Sequence, residues 1–253
     1  MPHQHVNAHI TILGIVCLAL LGFMFHHDAD ADTGWIPPAA AALPTPRIDN
    51  GLAPPAATAP PAPQRDIDSA SSLTVVVNKD RPLLEPGYTP ADLVDVGRAR
   101  LRAEPAAAYR QMAADAAAAG VALELVSGFR SNEAQGVLFA SYVQRFGPEA
   151  AERISARAGQ SEHQTGLAVD ISDPGGSCAL QSCFADTPAG AWAAENAHRY
   201  GFILRYPADG EPVTGYAYEP WHFRFVGTGT AGEIHGSGLT LEEFTGLLPG
   251  QQR

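Results

Sequence analysis

The chain has 253 residues, a formal net charge of −11 and one lysine, Lys79. That length accommodates one substantial domain plus accessory segments, at ~100–200 residues per domain. So acidic a chain offers no phosphate-binding surface, which argues against nucleic acid as a partner.

Residues 10–25 form an apolar run interrupted only by Thr11, Gly14 and Gly22. A signal-peptide core takes ~7–15 residues and a spanning helix ~20, so the run reads as an export signal or a short membrane anchor. Ala29-Asp30-Ala31 offers a cleavage site, although no Lys or Arg precedes the run. From 37 to 63, nine of 27 residues are Pro and nine are Ala, so no packed core forms there. At ~3.1 Å per residue this linker reaches on the order of 80 Å, a spacer that favours an anchor. The expected organisation is a signal or anchor over 1–31, a linker over 32–65 and a folded domain over 66–253. The membrane is then a partner only through the N-terminal segment, and the domain is expected to be a monomer.

Within the folded part, SLTVVV (72–77) is a β-branched run that predicts a strand. Pro105 at a first helical position and Gly120 as a stop bracket a helix over 105–119. ALELVS (122–127) predicts a strand leading into the SGFRS turn. Ser131 caps a helix that runs to Phe146 and closes at Gly147, and 148–158 predicts another. In SEHQTGLAVDIS (161–172), Leu167, Val169 and Ile171 alternate with Ala168, Asp170 and Ser172. That is the pattern of a half-buried strand, with Asp170 opposite the apolar side chains. The Thr165-Gly166 bend lets His163 converge with Asp170. Pro188 begins a helix that Gly201 ends, and FILRY (202–206) follows as a strand. In HFRFV, His222 and Arg224 face one way while Phe223 and Phe225 face the other. Thr240 and Glu243 form a capping box for a final helix. Mixed elements without a βαβ repeat predict an α+β fold, a small antiparallel sheet flanked by helices.

Cys178 and Cys183, five apart in a loop, read as a disulfide in an oxidising compartment. A zinc pair, which would want closer spacing and two more ligands, and a catalytic thiol are the competing readings. Five of the nine histidines precede residue 28, leaving His163, His198, His222 and His235 in the domain. His198 lies in a predicted helix and His235 in a Gly-rich stretch, where surface or packing roles suffice. His163, Asp170 and His222 remain as a two-histidine, one-carboxylate zinc site with an open fourth position, where bound water loses its proton near pH ~7. Glu219, three residues before His222 and extended by Pro220, is placed to be a general base. Other hydrolase patterns fail. HExxH and GxSxG are missing, Lys79 has Val76 where S-x-x-K needs serine, and a Ser161–His163–Asp170 triad lacks an oxyanion loop.

SGFRS, SEHQTGLAVDIS, ENAHRYGFILRYP and GYAYEPWHFRFVG together resemble the VanY-type D-alanyl-D-alanine carboxypeptidases, zinc peptidases of bacterial cell walls, over roughly 73–248. The family pattern S-x-H-x-x-G-x-x-x-D falls on Ser161, His163, Gly166 and Asp170, and its E-x-x-H on Glu219 and His222. The resemblance implies a hedgehog/D-Ala-D-Ala-peptidase-like fold and one zinc ion held by His163, Asp170 and His222, with Glu219 as base. It implies that Arg130 polarises the scissile carbonyl or steadies the oxyanion, and that Ser161 and Gln135 lie near the substrate. The implied substrate is a peptidoglycan stem peptide, met outside the cytoplasm, from which terminal D-alanine is removed. Two alternatives stay open: a wall peptidase of L,D- or endopeptidase specificity, and a non-catalytic zinc-stabilised binding module. Glu219 speaks against the module, because a structural zinc needs no base.

Overall fold

Backbone reversal at Gly97 (φ +60°) opens the folded part with a hairpin in the computed structural model, which describes residues 65–176 and 178–247. The hairpin pairs β1 (Leu93–Val96) antiparallel with β2 (Ala99–Arg102). Next come α1 (Ala103–Ala118), β3 (Glu124–Ser127), α2 (Asn132–Phe146) and α3 (Pro148–Ile154). A 3-10 turn over Glu162–Thr165 leads into β4 (Ala168–Ser172). The remainder is α4 (Pro188–Asn196), β5 (Phe202–Leu204), α5 (Glu211–Thr214), β6 (His222–Phe225), α6 (Thr228–Ser237) and α7 (Leu241–Phe244). The N-terminal signal or anchor and the Pro/Ala linker lie outside the described residues. Among the described residues, no helix is long and apolar enough to cross a membrane.

The main sheet has the order β3-β4-β6-β5 and is antiparallel throughout, as the mixed sequence pattern predicts. Its apolar face carries Leu167, Val169, Ile171, Phe223 and Phe225, packed on Tyr109 and Met112 of α1 and on Ala189 and Ala193 of α4. The opposite face of β4 and β6 is polar yet also buried, so the expected half-buried strand is covered on both sides.

What covers it corrects a second expectation. Residues 72–77 form no strand. Arg224 of β6 reaches across instead and donates from Nη2 to the carbonyls of Leu73 (3.0 Å) and Val75 (2.9 Å). A side chain thus takes the place of a neighbouring strand, and Val75, Val76 and Val77 are buried without a ladder.

Capping follows the sequence closely. Ser131 accepts from Ala134 N–H at 3.2 Å, and both halves of the Thr240–Glu243 capping box are formed. Boundaries move more. α1 starts at Ala103, so Pro105 is its third residue, and α3 and β5 stop at Ile154 and Leu204. The β1–β2 hairpin and α6 carry little sequence signal; α6 reads TGTAGEIHGS, three glycines in ten residues.

Candidate active site

The site is built where β4 and β6 lie side by side. Register places Asp170 directly opposite His222, so the two side chains emerge as neighbours on the polar face. His163 arrives from the 3-10 turn, which ends at Gly166 with φ +68°. The left-handed backbone there favours glycine, and a Cβ would also crowd Arg102 Cγ at 3.0 Å and Leu93 Cδ2 at 3.2 Å. The bend inferred from sequence is this turn, and it brings His163 Nε2 to 3.2 Å from Asp170 Oδ2. His222 Nδ1 lies 3.0 Å from Asp170 Oδ1.

The three ligand atoms fall within 4.8 Å of one another, and all three residues are buried. Zinc with bonds of ~2.0–2.1 Å in tetrahedral geometry separates its ligand atoms by about 3.3 Å, so this donor set fits the ion. The second nitrogen of His163 is already committed: Nδ1 lies 2.7 Å from the Gly128 carbonyl, which leaves Nε2 with its lone pair free. Gly128 can be nothing larger, because a Cβ would overlap the Arg100 carbonyl of β2.

Glu219 stands beside the cluster, its Oε2 3.9 Å from His222 Nδ1. Its backbone N–H donates to Tyr206 O at 3.1 Å, and its carbonyl accepts from His222 N–H at 3.1 Å. Burial pushes its carboxyl up to about 7, with Asp170 adding to the rise and His222 and Lys79 opposing it. A further positive charge held at the cluster draws it lower. Burial lowers the affinity of His222 for a proton, but Asp170 and Glu162 outweigh it and raise the imidazolium to about 9. Asp170 is held far below the carboxylate range; burial opposes this, and His163 and His222 prevail.

Arg130 comes from the SGFRS turn, and its backbone N–H donates to His163 O at 3.1 Å. Its guanidinium is fixed by donation to Gln135 Oε1 (2.7 Å) and Ser127 Oγ (3.1 Å). Gln135 in turn donates to Ala156 O at 2.6 Å, so its amide orients Arg130 from a fully buried position. Ser161 also lines the cavity of about 470 Å³ onto which Glu219, Arg130 and the group of His163, Asp170 and His222 open. Cys178 and Cys183 are disulfide-bonded, and Leu180 in the loop they close lines the same cavity. His198 and His235 are elsewhere, stacked in parallel with ring centroids 3.7 Å apart.

Behind the cluster lies a group that motif reading misses. Glu162, between Ser161 and His163, is among the residues that line the cavity and pairs with fully buried Arg205 and Arg224. Arg205 also pairs with Glu242 of α7, which accepts from Asn78 at 3.0 Å. Arg205 and Arg224 hold Glu162 well below the usual carboxylate range, overcoming the opposing effect of burial. Only the pairing of distant elements reveals this cluster; nothing in local spacing encodes it.

The D-alanyl-D-alanine carboxypeptidase (VanY) family model matches residues 98–228. A putative carboxypeptidase, YodJ of Bacillus subtilis, is 40% identical over 189 residues, covering 70% of this chain and 68% of the relative. Among solved structures, the LdcB LD-carboxypeptidase aligns with a TM-score of 0.63 at 40% identity, over 68% of this chain and 85% of the other. A Zn(II) complex of a VanY D,D-pentapeptidase variant from a VanB-type vancomycin-resistance cassette aligns with a TM-score of 0.60 at 32% identity, over 70% and 99%. The fold and site define a peptidase of the zinc D-Ala-D-Ala peptidase superfamily. Within it, the chain belongs to the VanY D-alanyl-D-alanine carboxypeptidase family.

Proposed function

We propose that this chain is a zinc carboxypeptidase that removes the terminal D-alanine from peptidoglycan stem peptides outside the cytoplasm, with His163, Asp170 and His222 as ligands. The observation that carries the reading is the convergence of these three side chains beside Glu219 on one cavity. We further assign residues 1–31 as the export signal or anchor and the Pro/Ala-rich stretch as its spacer.

Zinc bound there supplies Lewis-acid polarisation and a nucleophile at neutral pH. The chain's own residues do the rest. Glu219, whose half-buried carboxylate stands beside the cluster, takes a proton from the attacking water as the new C–O bond forms. As the C–N bond breaks, the same carboxyl returns that proton to the amine of the departing D-alanine. Arg130, held from two sides, presents its guanidinium to the scissile carbonyl oxygen, where negative charge develops. Desolvation of the site strengthens these interactions.

Glu219→Gln keeps the size and the three ligands but removes the base. D-alanine release from a stem pentapeptide is expected to fall by about 10⁴-fold, the upper end for positioned proton transfer, with zinc content unchanged. Release within about threefold of wild type, with zinc retained, overturns the assignment of Glu219. A second reading, L,D-carboxypeptidase action on a tetrapeptide, draws on the likeness to LdcB. Mass spectrometry of products from matched pentapeptide and tetrapeptide stems separates the two.

A further inference from the structure

Both histidines of the cluster need one nitrogen free for a metal and the other held. For His163 the Gly128 carbonyl does the holding. For His222 the nitrogen facing Asp170 is Nδ1, and Nε2 points to the interior. There Nε2 is buried without a hydrogen-bond partner, and so is Glu162 Oε2, 3.6 Å away. An imidazole N–H left alone in the interior is costly, and a carboxylate oxygen left alone is costlier. Each of these two atoms has the other as its natural partner.

The surrounding arginines leave Oε2 free for this. Arg205 Nε and Arg224 Nη1 both donate to Glu162 Oε1, at 2.8 and 2.6 Å. The remaining donors of Arg205 go to Glu242, Nη1 to Oε2 at 2.8 Å and Nη2 to Oε1 at 2.5 Å. Those of Arg224 go to the carbonyls of Phe225, Leu73 and Val75. One oxygen of Glu162 is therefore saturated and the other is aimed at His222 alone.

We propose that Glu162 is the positioning residue of the metal centre: its Oε2 accepts from His222 Nε2–H, fixing the tautomer and ring orientation that turn the Nδ1 lone pair toward the ion. The two arginines hold the carboxylate in place through its Oε1. The proposal rests on His222 being a zinc ligand. Outer carboxylate partners of this kind typically change metal affinity by 10–100-fold.

Glu162→Gln tests it sharply. The amide oxygen can still accept from the two arginines, but the group then facing His222 is an NH₂ donor. That inverts the hydrogen-bond demand and favours a proton on Nδ1, the wrong nitrogen for the metal. Glu242→Gln is the control, since it removes the same charge from the same buried cluster without touching His222.

Zinc affinity of the full chain is measured by competition with a chromophoric chelator, with urea unfolding of the zinc-free protein in parallel. Glu162→Gln is expected to weaken zinc by 10–100-fold and Glu242→Gln by less than threefold, although both lose stability. Equal weakening by both variants, or unchanged zinc in folded Glu162→Gln, overturns the proposal while leaving the ligand reading intact. A wild type that binds no zinc overturns the ligand reading and the proposal together.

Should Glu162→Gln fail to fold, wild type still decides. Histidine ¹⁵N spectra of the zinc-loaded protein are expected to show His222 metal-bound at Nδ1 with a slowly exchanging proton on Nε2. Zinc on Nε2, or a rapidly exchanging Nε2 proton, overturns it.

Discussion

Two buried groups of charged and polar side chains lie side by side on the polar face of β4 and β6, and they differ in how they end. In the cluster of Glu162, Arg205, Arg224 and Glu242, two cations meet two anions and nearly every donor and acceptor is spent within the protein. The group of His163, Asp170 and His222 instead converges within 4.8 Å at the edge of a cavity that it lines. Burial and charge are alike in both; closure is not. A charged cluster that satisfies itself is architecture, and one left open on a cavity is a site.

The largest effect expected comes from breaking the open group. His163→Ala or His222→Ala removes a ligand, and zinc content and hydrolysis are both expected to be lost. His198→Ala is expected to change neither, because His198 stacks on His235 and is not among the residues that line the cavity. Zinc at full occupancy in His163→Ala would contradict the ligand assignment.

Breaking the closed group should read out as stability. Glu242→Gln leaves Arg205 short of a partner in the interior, which typically costs about 3–5 kcal/mol, with D-alanine release per folded molecule unchanged. Urea unfolding combined with activity of the folded fraction checks both halves. A stability loss under 1 kcal/mol would show that the cluster supports less than its burial implies.

Arg130→Ala lies between the groups, since Arg130 faces the open site but is held by protein contacts. The expected loss is about 10²–10³ in kcat, or roughly 2.7–4 kcal/mol, with zinc retained. An effect confined to KM would assign Arg130 to ground-state binding.

Acid should distinguish the clusters less than substitution does, because both contain depressed carboxylates. The folded protein lowers Glu162 from 4.5 and Asp170 from 3.8. Their contribution to stability is thus complete above those unfolded values and declines as pH falls through and below them. Zinc-free protein is expected to lose stability progressively below about pH 4.5. A flat profile down to pH 3 would argue that these carboxylates are already protonated when buried.

The smallest effect concerns the rim of the cavity. Cys178→Ser opens a six-residue loop, for which chain entropy predicts about 2 kcal/mol. Thermal unfolding with and without reductant measures it.

The open group was legible in sequence because its chemistry is local. His163, Gly166 and Asp170 sit within eight residues, strand parity orients Asp170, and Glu219 lies one turn of chain from His222. Helix caps were legible for the same reason, since Ser131 and Thr240 act on residues three positions away. The closed group was not, because Glu162 meets Arg205 and Arg224 across 43 and 62 positions. The misread strand at 72–77 shares that cause. Its β-branched residues do become buried, but through carbonyls captured by Arg224 some 150 positions on.

The proposed ligands and the reacting groups also differ in where the backbone holds them. Asp170 and His222 belong to the two inner strands of the sheet, each paired on both sides, whereas Glu219 and Arg130 sit on connections outside it. Local opening of the molecule is therefore expected to reach Glu219 and Arg130 first, and Asp170 and His222 only when the sheet itself comes apart. In hydrogen-exchange terms, amides of β4 and β6 follow global unfolding while those around Glu219 exchange by smaller excursions. An ion on the proposed ligands would be held on the time scale of unfolding, and the groups proposed to meet the peptide would adjust on a faster one.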